Sequence, residues 1–461
     1  MCRLSNILLP AHLNHVITNN YQMPCLEEYA NFQGSWFISH LIIYSLVNNM
    51  KKTLFSVSIL LSIMMLLQYM MYAVWWVPLA AYLTNIGVSS FQKSLILSSM
   101  AIGCMASPII GMIADRYFPS QKVLALLNFI NGILLLLAAF FVHPDMLFIL
   151  LLLAMICYMP SWSLTSAIAL THVNGDKFSR IRVFGSIGWV ISGVFSIVTV
   201  KVFNLDFDGT RVPFYYGAAI SILTALFNLS LPDTPPLAKG QKWTILDALG
   251  LRSLKLMKDK NFAAFIILSF LAMIPFSMYW SYCSEFLLNK GFQYISVTMN
   301  WGQFAEMFFL LTIPLLIRKS GLRITMITGL IALLVRNLSF LVGSGMDNSI
   351  FYFIGILLHG LIFGYFFLGG QIYINRKAPD DLKAQAQGLI FLVTFGLGLL
   401  VGNLISGRII SEHSSVMNNM VSYNWTGIWG ITSILTLVTL LSFLFFFKQE
   451  KEVVAETVLA C

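Results

Sequence analysis

Charge is what this sequence has least of. Only 10% of its 461 residues are Asp, Glu, Lys or Arg, against about a quarter in a soluble domain, so it cannot clothe a folded surface in solvated side chains. Cysteine is scarce too. Its six cysteines are scattered, with no CxxC pair and no His/Cys ligand spacing, which argues against a disulfide framework or a zinc site. Cys104, Cys157 and Cys283 read as small apolar residues within helices. There is no nucleophile–base motif or metal-ligand cluster, so the chain does not read as an enzyme, and no cofactor is expected.

What is abundant is apolar: 58% of the residues are hydrophobic and the mean hydropathy is +0.81, so the solvent is lipid. A hydrocarbon core of about 30 Å takes roughly 20 apolar residues per helix, and such runs recur after Met50. They predict helices at 54–83, 94–114, 123–142, 146–169, 183–203 and 212–231, then 261–288, 296–317, 324–343, 350–374, 385–407 and 424–447. Helices are required because each backbone group must find its partner inside the segment. The expected fold is therefore an all-α membrane protein with a six-helix half over 50–231 and another over 261–447. Residues 232–260 form a connecting loop with a short surface helix around Leu246, Leu249, Leu251 and Leu254, and 448–461 form a tail. Residues 1–49 lack a spanning run and a signal-peptide pattern; they read as a disordered segment or a start assigned too early, ahead of the inside-start signal Met50-Lys51-Lys52.

Positive charge sets orientation. With the amino end of the first helix inside, 20 of the 28 Lys and Arg fall on the cytoplasmic side and five on the other, which puts both termini and the central loop in the cytoplasm. The formal charge of +9 is then a topology signal, and nucleic-acid binding is not needed to explain it.

An ionisable side chain inside an apolar run is costly and usually faces a cavity or a partner. On the eighth helix Gln303 and Glu306 are an i, i+3 pair, and Glu306 is the one carboxylate placed deep in a predicted helix. Burial penalises its charged form, so it can take up and release a proton as access alternates. The competing reading is a permanent pair with Arg336 or Arg182. On the fifth helix Arg182, Ser186 and Trp189 share a face, where Arg182 either lines a cavity or snorkels to the boundary. Gln68, Tyr72 and Trp75 share a face of the first helix, and His359 and Phe363 one of the tenth. Aromatic faces with a few hydrogen-bonding groups suit a ligand with a flat ring and a polyhydroxy part. Gly185, Gly188 and Gly193, and Gly398, Gly402 and Gly407, predict close helix contacts, and Pro160, followed by Ser161, Ser163, Thr165 and Ser166, predicts a bend in the fourth helix.

After the second helix the chain reads GMIADRYFPSQK, Gly111 to Lys122, which resembles the loop motif of the major facilitator superfamily. That resemblance implies two six-helix halves and a cytoplasmic gate containing Asp115 and Arg116. Five longer segments, LLQYMMYAVWW, YMPSWSLTSAI, IRVFGSIGWV, QFAEMFFLLTIPLLI and AQAQGLIFLVT, resemble the bacterial nucleoside:proton symporters, a likeness that extends over Leu54 to Phe447. It implies an inner-membrane carrier that imports nucleosides with protons by rocking, acts as a monomer in the bilayer, and binds substrate at Arg182, Ser186, Trp189, Gln303, Glu306 and Phe363. The family's amide pair on the seventh helix is replaced by Ser277 and Trp280, its Tyr on the tenth by His359, and an acid there by Gly364. Trp75, Trp280 and His359 complete the candidate substrate site, and Glu306 is the candidate proton-coupling group. The alternatives are a carrier for a sugar or another small polar or aromatic solute, and a transporter-like nucleoside sensor.

Overall fold

The computed structural model of the protein describes residues 57–236, 251–379, 382–417 and 420–448. The leading segment 1–49, the start signal 50–52, residues 237–250 of the central loop and residues 449–461 of the tail lie outside the described residues. So does the Asp115 side chain.

Among the described residues ten helices are long and apolar enough to cross a membrane. Nine are single spans: α1 (Val57–Asn85), α2 (Ser90–Gly111), α3 (Ser120–Phe140), α4 (Pro144–His172), α5 (Arg180–Phe203), α7 (Lys260–Asn289), α10 (Ser349–Lys377), α11 (Gln385–Glu412) and α12 (Trp425–Phe446). The tenth, Ile295–Met346, is 52 residues long and is two helices, α8 (295–320) and α9 (322–346), joined at Gly321 with φ 79°. Only glycine adopts that backbone without strain, which is how α8 and α9 meet with almost no loop. The shorter apolar helix α6 (Val212–Asn228) brings the spans to the twelve predicted, each within a few residues of its expected ends.

Several spans are interrupted where the sequence removes a helical hydrogen bond or lets one stretch. α4 turns at Met159–Pro160 and α1 at Val77–Pro78, because proline has no N–H and its ring clashes with the preceding turn. After Pro160, Ser163 and Thr165 bond back along their own helix, Ser163 to the Pro160 carbonyl at 2.9 Å and Thr165 to that of Ser161 at 2.7 Å. α10 and α11 each contain a π-helical stretch, Ile362–Leu368 and Leu392–Gly398, a device frequent at functional sites. In the central loop, Leu251–Lys258 forms a 3₁₀ helix, the described part of the expected surface helix.

The predicted glycine contacts are present. A side chain at Gly188 would run into the backbone of Leu66 on α1, and one at Gly402 would lie 2.9 Å from the Met273 carbonyl on α7. These close approaches set α5 against α1 and α11 against α7.

On the face opposite the central loop, which the charge distribution predicts to be the outer face, the halves are tied together. Lys93 of α2 and Glu285 of α7 form an ion pair at 2.5 Å, with side chains 4% and 0% exposed. Tyr423 donates to the same carboxylate oxygen at 2.8 Å, and Lys93 also donates to Thr84 at 2.8 Å. Tyr423 belongs to an antiparallel hairpin, β1 (Ser414–Met417) with β2 (Met420–Tyr423), which lies between the last two predicted spans and has no counterpart among the apolar runs. Asp208, between α5 and α6, accepts from the Ser296 hydroxyl at the start of α8, and Tyr282 of α7 donates to Ser94 of α2 at 3.0 Å. Glu285 is a second buried carboxylate of a span, near the end of α7, whereas Glu306 lies at the middle of α8.

Candidate substrate and proton site

Two glycines bring the site's acid and imidazole together. A side chain at Gly360 of α10 would overlap the Glu306 backbone of α8, and one at Gly302 would lie 2.7 Å from the Ile356 carbonyl and 3.0 Å from His359 Cβ. With the two backbones that close, Glu306 and His359 stand side by side, their Oε2 and Nε2 atoms 3.9 Å apart. Gln303, one turn before Glu306, donates its amide to Oε2 at 2.6 Å. Neither Arg182 nor Arg336 comes within ion-pair distance of Glu306 among the described residues, so the permanent ion pair is not formed here.

Arg182 turns inward. Its guanidinium lies 4.3 Å from the centre of the Tyr69 ring on α1. Gly185 makes room: a Cβ there would sit 2.8 Å from Arg182 Nη1 and 2.9 Å from the Tyr69 ring. One and two turns further along α5, Ser186 and Trp189 are both buried.

A cavity with about 380 Å³ of empty volume is lined by Trp76, Val77, Trp189, Tyr279, Trp280, Met299, Gln303 and His359. Its walls therefore come from α1, α5, α7, α8 and α10 in both halves. Trp189 and Trp280 meet on its wall, ring centres 6.1 Å apart and tilted by 47°. Trp280 stacks on His359 at 5.9 Å and 26°. Phe363 follows one turn after His359, at 6.1 Å.

Several positions singled out in the sequence face elsewhere. Trp75 packs against Phe214 at 5.7 Å inside the first half, while Trp76, its neighbour, lines the cavity. Gln68 and Tyr72 also serve that interior: the Gln68 amide donates to Ser161 at 2.7 Å and Tyr72 stacks on Tyr158 at 4.6 Å. Ser277 shares a hydrogen bond with Ser406 of α11 at 3.0 Å. Arg116, of the expected gate, lies in the helical turns that continue past Gly111 and has an interaction partner. Sequence reasoning missed Trp76, Val77, Tyr279 and Met299; Trp76 and Tyr279 each neighbour an aromatic that it does single out, on a helix buried on several sides.

A family profile for nucleoside H⁺ symporters matches residues 55–452, most of the chain. The chain belongs to the nucleoside H⁺ symporter family. Among its relatives, YegT of Escherichia coli strain K12, named as a nucleoside transporter, is 34% identical over 85% of this chain and 93% of its own length. The nucleoside permease NupG of the same organism is 26% identical over 85% of this chain and 96% of its own. The crystal structure of the nucleoside transporter NupG superimposes with a TM-score of 0.75 at 24% identity, covering 86% of this chain and all of that one. The inward-open xylose transporter XylE from E. coli superimposes with a TM-score of 0.65 at 15% identity over 87% and 97%. The fold of this family member is thus the major facilitator fold.

Proposed function

We propose that this chain carries nucleosides together with protons across the bacterial inner membrane, importing them by alternating access with both termini in the cytoplasm. The observation that carries the proposal is the family match over residues 55–452, supported by a cavity lined by Trp189, Trp280, His359 and Gln303, the last of which is bonded to the buried Glu306 carboxylate. The base stacks on aromatic faces such as Trp189, Trp280 or Phe363, since a flat ring gains most from offset contact with another ring. Gln303, Glu306, Arg182 and Ser186 supply the polar contacts, and Glu306 carries the proton. Rocking of the halves about this central site exchanges access, and the tied outer face corresponds to the state closed on that side.

The test is uptake by a nucleoside-transport-deficient bacterial strain expressing the chain, with labelled nucleoside challenged by unlabelled competitors. A panel of nucleosides should compete, while hexoses and lipophilic cations at the same concentration should not. Competition by hexoses with no effect of nucleosides would replace the proposal with a sugar carrier.

A further inference from the structure

Arg336 of α9 is the least conventional buried group in the protein. It is fully buried and has no carboxylate partner among the described residues, and its Nε and Nη2 donate to nothing. Its charge is met by two ring faces, Tyr279 at 4.2 Å and Phe276 at 5.4 Å. Its one hydrogen bond runs from Nη1 to His359 Nδ1, 3.4 Å away. A guanidinium has five donors, no acceptor, and does not deprotonate in proteins. The bond therefore has one possible direction: Nδ1 must be the imidazole's lone pair, and the single ring proton must lie on Nε2.

That places an N–H opposite Glu306 Oε2, across 3.9 Å. The gap is too long for a hydrogen bond, but it suits one hydroxyl oxygen about 2.8 Å from each atom, accepting from the imidazole and donating to the carboxylate. The other polar groups facing this point are Gln303 of α8, already bonded to Glu306, and Tyr279 of α7, whose ring stacks on His359 at 5.5 Å. Arg182 stands over the Tyr69 ring of α1. Protonating His359 would turn Nδ1 into a donor aimed at a guanidinium, leaving both without an acceptor.

We infer that Arg336 is a positioning residue that fixes His359 as a neutral Nε2–H donor, and that His359 and Glu306 together hold one sugar hydroxyl of the substrate. His359 is then a binding group and not a proton carrier. The sugar assignment rests on the nucleoside proposal; the tautomer does not.

The experiment has two arms. In the first, ¹⁵N-histidine NMR of the full chain in lipid nanodiscs, without substrate, reads the His359 tautomer, with His359→Gln used to assign its signals. Between about pH 5.5 and 7.5, where a free imidazole titrates, His359 should stay neutral with the proton on Nε2. In Arg336→Met, which removes the fixed donor but keeps apolar bulk, it should titrate or populate both tautomers. An Nδ1–H or imidazolium signal in the unaltered chain would overturn the inference. In the second arm, uridine uptake is compared with that of 2′-deoxy- and 3′-deoxyuridine. At least one analogue should enter about tenfold more slowly, as expected for losing a hydrogen bond to a charged group, and His359→Phe, which removes one of the hydroxyl's two partners, should shrink that difference. A penalty absent from the unaltered chain, or unchanged in His359→Phe, would overturn the sugar assignment. Failure to take up any nucleoside would instead remove the nucleoside proposal, with the NMR arm still deciding the tautomer.

Discussion

Glu306→Gln should abolish uphill accumulation of nucleoside driven by an imposed pH gradient, while binding and passive exchange partly survive. Glutamine keeps the shape and the hydrogen-bonding reach of the side chain but cannot titrate. Glu306 is buried at mid-span, bonded to the Gln303 amide and free of any ion pair with arginine among the described residues. Because nothing there holds it permanently charged, both protonation states are within reach as water gains access from each face. No acid on α10 can take over, since the position that is acidic in the resembling family is Gly364. Among the described residues the other buried carboxylate of a span, Glu285, is committed to Lys93 at the outer end. The measurement is the accumulation ratio in energised vesicles. A Glu306→Gln protein that still concentrates nucleoside would confine Glu306 to structure or ligand binding.

The second large effect is expected at the outer face. Lys93 and Glu285 come from different halves, and both are buried where those halves meet. Removing one partner of a buried pair leaves an uncompensated charge at a cost of about 3–5 kcal/mol, whereas replacing both with apolar residues is often neutral. Glu285→Ala should therefore destabilise the closed face and favour opening, where Lys93 regains water. With a cysteine at Met299, on the cavity wall, an impermeant maleimide applied from outside should label the Glu285→Ala protein on the order of a hundredfold faster. The Lys93→Met/Glu285→Leu double variant should return towards the parent rate. Equal labelling of all three would show that the pair does not hold the face shut.

The spans were legible because the bilayer imposes a single length and a single solvent on every helix, so apolar runs alone locate them. Gln303 and Glu306 stood out for the same reason, as polar residues at a depth where polarity is costly. Orientation within the bundle was less legible. Gln68, Tyr72 and Trp75 do share a face of α1, but α1 is buried on several sides, and periodicity does not say which side borders the cavity; Asn128 and Ser161 claim that face, and Trp76 lines the cavity instead. Glu285 lay near the end of its run, where an acid ordinarily meets water. Its burial comes from Lys93, 192 positions earlier, and from Tyr423, 138 positions later, a pairing that local pattern does not contain. The Arg336–His359 contact is of the same kind: each residue is conspicuous alone, and only the packing of α9 against α10 gives the pair a direction.

Proton-coupled nucleoside transport is tested most directly with the purified full chain in sealed proteoliposomes. Labelled uridine and inosine are supplied equally on both sides, and an inward proton gradient is imposed. Nucleoside should accumulate inside above its external concentration, and a protonophore should collapse the excess. Equilibration to equal concentrations whether or not the gradient is present would contradict proton coupling, and no entry of either nucleoside would contradict transport itself.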